Sequence, residues 1–339
     1  MPAPPASALL RKVLRESSIL HPPTARIANV HHVPQNYARN IALRLRHSQP
    51  PGAHQNEAPD LRSLLAPGLS PIIARMANSP WQKRIRRAEH LAAQHPFAAE
   101  ILGFYIQVAR FQQTLYQRID RTATKKSPVS LSDLAESPEL LISFPAFLSV
   151  VEEKAPARFA QVVHALRNLP SDSWSDLLNR SWSETDNPPD APEEFLAFAF
   201  LQPYAEFVRS GAPLQLNGYT HPLCPFCNRK PSIAVLRPQG DGARRNLVCG
   251  FCLCEWEFRR LVCAGCGLED QAKLPVYTAD QFPHIRVECC DACHTYIKAV
   301  DLTKNGLADP LVDDLASVPL DLWAQEHGYA KLHPNLLGF

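Results

Sequence analysis

Hydrophobic residues recur every three or four positions through most of the first two thirds of the chain. In residues 81–95 the spacing joins Trp81, Ile85, Ala88 and Leu91, and it stops at a proline. It continues over residues 97–120 on one face, made of Phe97, Ile101, Phe104, Val108, Phe111, Leu115 and Ile119. A period near 3.6 residues predicts amphipathic helices. Further helices are predicted at about 143–168, 173–180 and 191–210. Because strand patterns are nearly absent before residue 220, this part is predicted to be all-α.

After Thr220 the pattern changes to short runs typical of strands. These runs lie at residues 232–237, 255–262, 273–278, 284–289 and 295–300. In the second run, Trp256 and Phe258 alternate with charged neighbours, which predicts a half-buried strand. Residues 309–329 then predict a closing helix in two pieces, because Pro310 and Pro319 each suit a first helical position.

The pattern divides the chain into five parts. Residues 1–60 are rich in Pro, His and Asn and predict a largely irregular extension with one short helix near residues 7–15. Residues 61–218 form the predicted all-α domain. Two small β-modules, 219–262 and 263–308, follow it, and a C-terminal helix and tail occupy 309–339. The predicted fold class is therefore multidomain α plus small β.

The overall charge of the chain is close to balanced. The 339 residues carry 35 Lys and Arg against 33 Asp and Glu, a net charge of +2. This balance argues against binding to nucleic acid or to an anionic membrane. No run of ~20 apolar residues is present, so no membrane-spanning helix is expected. Since no secretory signal is visible either, we expect a cytoplasmic protein.

The basic run at residues 83–87 is the strongest local concentration of charge. It consists of Lys83, Arg84, Arg86 and Arg87. Such a run is either an anion site or the solvated face of a helix, and we interpret it as a solvated face.

All ten cysteines lie between Cys224 and Cys293, and eight of them form Cys-x-x-Cys pairs. The pairs are Cys224/Cys227, Cys249/Cys252, Cys263/Cys266 and Cys290/Cys293. Two cysteines at this spacing can both face one metal ion from a tight turn and supply half of a tetrahedral shell. The gaps between successive pairs are 21, 10 and 23 residues. The long gaps suit a returning hairpin, so we predict one site from the first two pairs and a second site from the last two.

The residue after the second cysteine of each pair usually needs a left-handed backbone conformation, which favours Gly and then Asn. These positions hold Asn228, Leu253, Gly267 and His294. Three of the four suit the conformation. Leu253 does not, so we expect the turn at Cys249–Cys252 to be distorted.

Cys254 and Cys289 are left over from the pairs. Each is interpreted as a small buried hydrophobic residue, although Cys289 could replace Cys290 as a ligand and Cys254 lies near the first site. A thiol oxidoreductase is a weaker interpretation, because such a pair opens a helix in a βαβ unit. A nucleic-acid ribbon is also weaker, since residues 221–300 hold ten Lys and Arg against eight Asp and Glu.

Four cysteine sulfurs in a tetrahedron suit zinc and iron equally well, and the spacing does not separate them. Structural zinc would supply folding free energy that such small modules lack. Iron would add a one-electron redox capacity. Both metals stay open on the residues alone.

Several segments resemble the FdhE family of formate dehydrogenase accessory proteins. They are "CPFCNRKPSIAVL", "VCGFCLCEWEFRRLVCAGCG", "VECCDACHTYIK", "DDLASVPLDLWAQEHGY" and, upstream, "WQKRIRRAEHLAAQHPFAAEILGFY". The likeness is specific over residues 221–339. The resemblance implies a helical domain followed by two rubredoxin-like modules that bind iron through the eight paired cysteines, with zinc as the alternative metal. It also implies a cytoplasmic protein with no catalysis of its own.

The resemblance further implies a partner, the immature catalytic subunit of a respiratory formate dehydrogenase, which the protein helps to mature. The alternative is a zinc-ribbon protein that binds nucleic acid or another protein. No membrane insertion is implied, and a homodimer is compatible with the family. Trp256, Tyr277 and Tyr296 are candidates for a patch beside the metals, with core packing the stronger interpretation for Trp256. The acidic pair Asp313 and Asp314 is interpreted as helix N-terminal charge rather than an acid/base pair.

Overall fold

A computed structural model gives the structure of residues 27–29, 79–122, 138–155, 157–183, 191–214, 216–336 and 338. The helix predicted near residues 7–15 and the start of the predicted all-α domain, residues 61–78, lie outside this part of the chain. The predicted fold class is confirmed: a helical region comes first, and a β-sheet region with two groups of four cysteines follows.

Six α-helices build the described part of the first region. They are α1 (Pro80–Gln94), α2 (Ala99–Thr122), α3 (Pro138–Lys154), α4 (Ala157–Arg167), α5 (Ser171–Ser183) and α6 (Pro192–Gly211). Ser79 caps α1, because its hydroxyl accepts a hydrogen bond from the Gln82 amide at 3.2 Å. The single helix predicted at 143–168 is wrong, since α3 and α4 are separate. The sequence places Pro156 between them, and proline lacks the N–H that a helix interior needs.

Helix α6 is buried along most of its length and forms the centre of the helical core. Pro203 lies inside it and has no N–H to give to the carbonyl of Ala199 one turn earlier. The side chain of Gln112 on α2 donates to that carbonyl at 2.6 Å and contacts the Gln202 side-chain oxygen at 3.2 Å. The proline in α6 is therefore compensated by a buried amide from the neighbouring helix.

Among the described residues, eight strands form one sheet; seven of them lie in the second region, and the first lies near the start of the chain. They are β1 (Ile27–Asn29), β2 (Pro231–Gln239), β3 (Gly242–Cys249), β4 (Glu255–Glu257), β5 (Val276–Ala279), β6 (Ile285–Cys290), β7 (Thr295–Asp301) and β8 (Ala330–Lys331). Their order is β1-β5-β6-β7-β2-β3-β4, and β8 pairs with β7. Most pairs are antiparallel, but β7 pairs in parallel both with β8 and with β2, where Ala234 lies opposite Ala299. The β2–β7 pair joins the two cysteine-bearing modules into one continuous sheet.

One predicted strand is shorter than expected. The run at 255–262 is a strand only over Glu255–Glu257, because the chain turns after Phe258 to reach the third cysteine pair. The strand β3, which the pattern did not predict, pairs with β2 on one side and β4 on the other.

Two short helices, α7 (Pro310–Ala316) and α8 (Val318–Glu326), close the chain in the predicted two pieces. Asp309 caps α7 by accepting from the amides of Leu311 and Val312. Helix α7 lies between the helical region and the sheet, since it contacts α1 and α2 as well as β2 and β7. It therefore links the two regions of the molecule.

Asp313 lies in the first turn of α7 and accepts from the Asp309 amide at 2.8 Å, as the interpretation of helix N-terminal charge implies, but Asp313 and Asp314 also have more distant partners. Both side chains are buried, with exposed fractions of 1% and 2%. Asp313 accepts from Arg87 on α1 and lies 2.8 Å from His284 Nε2 ahead of β6. A buried carboxylate is stable only with such partners, so the acidic pair is part of an ion-pair network between α1, α7 and the sheet.

The basic run on α1 is not a uniformly solvated face. Lys83 and Arg86 are exposed, as predicted. Arg84 is buried and pairs with Glu206 of α6 at 3.4 Å, and the Arg87 side chain is 10% exposed and pairs with Asp313 at 2.6 Å. The partners lie far away in the sequence, and for this reason the local pattern did not indicate them.

Among the helices of the described residues, none combines the length and the apolar character that a bilayer crossing requires.

Candidate metal centres

The first four-cysteine cluster joins the loop before β2 to the end of β3. Cys224 Sγ lies 3.5 Å from Cys252 Sγ, and Cys227 Sγ lies 3.4 Å from Cys249 Sγ and 3.6 Å from Cys252 Sγ. All four side chains are buried. The β2–β3 hairpin brings the two pairs together, as the gap of 21 residues predicts.

The second cluster joins the loop after β4 to the β6–β7 turn. Cys263 Sγ lies 3.7 Å from Cys293 Sγ, and Cys266 Sγ lies 3.8 Å from Cys290 Sγ. Cys263 and Cys290 are buried, whereas Cys266 is exposed and Cys293 is partly exposed. The strands β5 and β6 form the returning hairpin that closes this cluster.

The sulfur separations in both clusters fit a tetrahedral metal shell. A tetrahedron with metal–sulfur distances of about 2.3 Å has edges of about 3.8 Å. A disulfide would bring two sulfurs to about 2.05 Å, and every cysteine of the described residues is free. Within each cluster the four sulfurs lie within 4.8 Å of one another. Either cluster could therefore hold one ion that accepts four thiolates, such as zinc or iron.

The loops that present the sulfurs share one backbone conformation. Asn228, Leu253, Gly267 and His294 have φ angles of 58°, 56°, 76° and 53°. The expectation that Leu253 distorts its turn is wrong, because Leu253 adopts the same left-handed conformation as the other three. This conformation costs a residue with a branched side chain roughly 1–2 kcal/mol, so the turn imposes its geometry on the residue.

Hydrogen bonds within the turns fix their shape and supply donors to sulfur. The amides of Asn228, Gly267 and His294 donate to the carbonyls of Cys224, Cys263 and Cys290 at 2.9–3.0 Å. The Phe251 amide lies 3.4 Å from Cys249 Sγ, and the Gly265 amide lies 3.3 Å from Cys263 Sγ. Backbone N–H donors of this kind stabilise the thiolate form that a metal needs.

The first cluster is packed against the helical region. Phe251, inside the second pair, lies with its ring 5.6 Å from that of Trp182 and 4.9 Å from that of Phe198. The Arg229 guanidinium lies 4.0 Å from the Phe251 ring and donates to the carbonyls of Ser181 and Trp182 at the end of α5. These contacts exclude solvent from the cluster on the helical side.

Polar groups from the helices also reach the first cluster. Gln202 of α6 donates to the Gly250 carbonyl at 2.7 Å, between Cys249 and Phe251. His333 is buried beside the same turn, and its ring lies 5.8 Å from Phe198. Burial lowers the pKa of His333 to about 4, so this imidazole is neutral at pH 7. Sequence reasoning missed Arg229, Gln202 and His333. Only Arg229 had a local signal, its position two residues after the first pair.

The second cluster opens to solvent and to a cleft. Cys263 and Cys290 line a cleft of about 130 Å³, together with Leu332 and residues of β6 and β7. On the outer side, Thr295 Oγ1 lies 3.0 Å from Cys293 Sγ. Burial opposes ionisation of Cys293, but hydrogen bonds from Thr295 outweigh it and lower the pKa of this thiol to about 7.

Two of the three aromatic residues proposed for a patch beside the metals, Trp256 and Tyr296, are buried and do not form a surface patch. Trp256 is buried, in line with the stronger interpretation for that residue, and its indole N–H donates to the His221 carbonyl at 3.1 Å. Tyr296 is also buried, and its hydroxyl donates to Asp321 at 2.8 Å. Tyr277 is partly buried with its ring 4.6 Å from that of Trp323. Trp256 and Tyr296 therefore hold the sheet together from within.

Cys254 and Cys289 are buried, as interpreted, and neither belongs to the two groups of mutually close sulfurs. Cys289 packs in an apolar cluster with Val287, Tyr296 and Val300. Burial raises the pKa of this thiol. Contact with Cys224, together with burial, raises the pKa of Cys254. Both therefore remain neutral thiols, and Cys254 is a potential S–H donor to the first cluster.

The structure defines a class of metal-binding protein. Its helical region packs on a β-sheet with two four-cysteine clusters, of which the first is buried and the second is partly exposed. Residues 223–260 match the sequence family described as "FdhE, central domain", and residues 262–337 match "FdhE, C-terminal domain". Over these two ranges the chain resembles the FdhE family.

Relatives and a solved structure resemble this chain over most of its length. A "Protein FdhE homolog" of Aquifex aeolicus (strain VF5) is 28% identical over 270 residues, which cover 75% of this chain and 94% of the relative. A homologue of Pseudomonas aeruginosa is 27% identical over 309 residues, or 81% and 97% of the two chains. The crystal structure of the FdhE protein from Pseudomonas aeruginosa matches with a TM-score of 0.57 and 25% identity, covering 76% of this chain and 95% of that one.

Proposed function

We propose that the protein is an accessory protein for a respiratory formate dehydrogenase and that each cluster binds one iron ion, with zinc as the alternative. The proposed ligands are Cys224, Cys227, Cys249 and Cys252 in one centre and Cys263, Cys266, Cys290 and Cys293 in the other. The sulfur geometry carries this proposal, because both sets have separations near those of a tetrahedral thiolate shell. The domain boundaries at residues 61, 219, 263 and 309 are proposed together with it.

We propose a binding role and not catalysis. A centre with four cysteine ligands is closed, whereas a catalytic metal keeps an open position for water or substrate. Both clusters offer a full set of four sulfurs. When iron is bound, each centre would be able to take up or release one electron. The chain's own residues hold the ion, shield it on the helical side and fix the two modules in one sheet.

The proposed partner is the catalytic subunit of the dehydrogenase, bound in the cytoplasm before that subunit is complete. Similarity to the FdhE family supports this, since the family is one of formate dehydrogenase accessory proteins. Nucleic acid is a weaker candidate, because the sheet's arginines are already engaged. Arg237 pairs with Glu255, Arg245 with Glu288 and Arg286 with Asp301. Arginines held by carboxylates offer little to a phosphate backbone.

Co-purification tests the partner. Tagged protein would be captured from lysate of its own host grown with formate, and bound chains would be identified by mass spectrometry. A catalytic subunit of formate dehydrogenase is expected among them, enriched over a capture with an unrelated tagged protein. Repeated absence of any such subunit would contradict the proposed partner.

Absorption spectroscopy and elemental analysis test the metal. Protein purified without oxygen is expected to contain two metal ions per chain. Ferric iron in four thiolates absorbs visible light, whereas zinc in the same site is colourless. Two zinc ions and no visible band would replace iron by zinc in the proposal. A chain without bound metal would contradict the proposed ligand sets.

A further inference from the structure

We infer that the two centres have different roles: the first is a sealed structural centre, and the second is the exchangeable centre through which an ion enters and leaves. This inference rests on the metal-binding part of the proposed function. It goes beyond that function because it assigns separate tasks to two sets of chemically identical ligands.

Solvent access separates the two clusters. Cys249 and Cys252 have no exposed surface, and Cys224 and Cys227 are 2% and 7% exposed. In the second cluster, Cys266 is exposed and Cys293 is partly exposed. An incoming ligand can therefore approach two cysteines of the second cluster directly from solvent.

The surroundings reinforce this difference. The first cluster belongs to the largest apolar core, where Phe251 packs against Trp182 and Phe198 of the helical region. To expose it, the chain must separate the sheet from the helices. The second cluster lies in the module of residues 263–308, where its two buried cysteines, Cys263 and Cys290, line the cleft of about 130 Å³. Its rim includes Leu261, whose side chain is 55% exposed. The second cluster is thus accessible from solvent and also from the cleft.

Exchange at such a centre needs no change of oxidation state. One thiolate leaves the ion and takes a proton from solvent, and a nitrogen or oxygen atom of the incoming ligand replaces it on the metal. The exposed Cys266 is the thiolate placed to leave first. Repetition of this step at the other three sulfurs transfers the ion to the ligand. In the first centre each step requires a solvent molecule that the packing excludes.

Chelation combined with thiol mapping tests the inference. The full-length protein, loaded with two zinc ions, would be mixed with excess EDTA, and samples taken over time would be alkylated with iodoacetamide. Released zinc and alkylated cysteines would be quantified in each sample. One zinc ion is expected to leave at least tenfold faster than the other. Alkylation of Cys263, Cys266, Cys290 and Cys293 is expected to follow the fast release, while the first four stay protected.

A Cys266→Ser variant serves as the matched second measurement. It is expected to accelerate the fast release and to leave the slow one unchanged, with the same circular dichroism spectrum as the parent protein. Release of both ions at one rate, earlier alkylation of the first cluster, or no release of either ion would overturn the inference. Failure to load two zinc ions would instead contradict the proposed ligand sets, and loading reveals it before chelation begins.

Discussion

Leu253 adopts a left-handed backbone conformation with a φ angle of 56°. The equivalent positions of the other three turns hold asparagine, glycine and histidine. The side chain of Leu253 is partly buried beside the first cluster. The geometry of the four sulfurs therefore outweighs the preference of the residue. This strain gives a direct test of whether the turn or the side chain determines the local structure.

We predict effects of different size for two substitutions of Leu253. Leu253→Val places a β-branched residue in the left-handed region and is expected to lower the free energy of unfolding by about 1–2 kcal/mol. Leu253→Asn relieves the strain and is expected to cost less than 1 kcal/mol. Chemical denaturation of the metal-loaded proteins measures both. Equal stability of the two variants would contradict the assignment of strain to this residue.

His333 is a second residue whose environment has a measurable consequence. Its pKa is lowered to about 4, chiefly by burial, from an ordinary value near 6.5. The unfolded chain therefore binds a proton at higher pH than the folded chain does. Stability from His333 is present above about pH 6.5 and is lost as the pH falls towards 4.

A His333→Gln variant is expected to show a weaker pH dependence than the parent. Glutamine cannot take up the proton, so the parent should lose up to about 3 kcal/mol more than the variant between pH 6.5 and 4. Denaturation of both loaded proteins at several pH values measures the difference. Acid release of metal affects both proteins and cancels in the comparison. Parallel pH profiles would show that His333 does not titrate as its burial implies.

At this scale the sequence predicted the grouping of the eight paired cysteines, because the spacing of ligand pairs is a local property. It did not predict the buried partners of Arg84 and Arg87. Those partners, Glu206 and Asp313, are more than a hundred positions away in the chain. A basic run looks the same in the sequence whether its charges face solvent or a distant carboxylate.

At the scale of elements, α7 and α8 carry three buried carboxylates, Asp313, Asp314 and Asp321. Lys298 of β7 has no exposed surface and lies 2.9 Å from Asp314 and 2.6 Å from Asp321. Lys331 pairs with the same two carboxylates. Burial opposes ionisation of Asp314, but Lys298 and Lys331 outweigh it and lower its pKa. The two helices are thus fixed to the sheet by paired charges as well as by apolar contacts.

Lys298→Met is expected to be strongly destabilising. It removes a buried cation and leaves Lys331 as the one cation paired with both Asp314 and Asp321 among the described residues, which should lower the free energy of unfolding by about 3 kcal/mol or more. Lys304→Met is the matched control, because the Lys304 ammonium contacts only an exposed carbonyl, that of Pro283. The control should stay within about 0.5 kcal/mol of the parent. A Lys298 variant as stable as the control would contradict the role of the network.

The helices α1, α2, α5 and α6 were predictable within a few residues, because their apolar positions follow the helical period. Strand β3 was not. Its first part, Gly242–Arg244, is exposed or partly exposed, and its second part, Arg245–Cys249, is buried throughout. Neither part alternates as a half-buried strand does. Strand β3 lies between β2 and β4 and is buried on both faces at its C-terminal end. It therefore lacks the alternation of apolar and polar residues that would identify a strand in the sequence.

At the scale of the whole molecule, the proposed centres should be lost independently. Cys290→Ala removes one ligand of the second cluster and is expected to reduce bound metal from two ions to one. The first centre should stay filled, because its ligands and its packing against the helices are untouched. Elemental analysis measures the metal content of variant and parent. Loss of both ions would contradict the two separate centres, and loss of neither would mean that Cys289 replaces Cys290.

The parallel pairing of β2 with β7 could not be predicted, because nothing local marks two strands from different modules as neighbours. This pairing has a consequence for synthesis on the ribosome. The β2–β3 hairpin emerges from the ribosome with one backbone edge of β2 unpaired. The partner of that edge, β7, begins only at Thr295, so it is translated later. During that interval the nascent chain exposes a strand edge of the kind that aggregates. A nascent chain stalled on the ribosome before residue 295 should therefore bind ribosome-associated chaperones. Synthesis of the complete chain should end that binding, because β7 then pairs with β2.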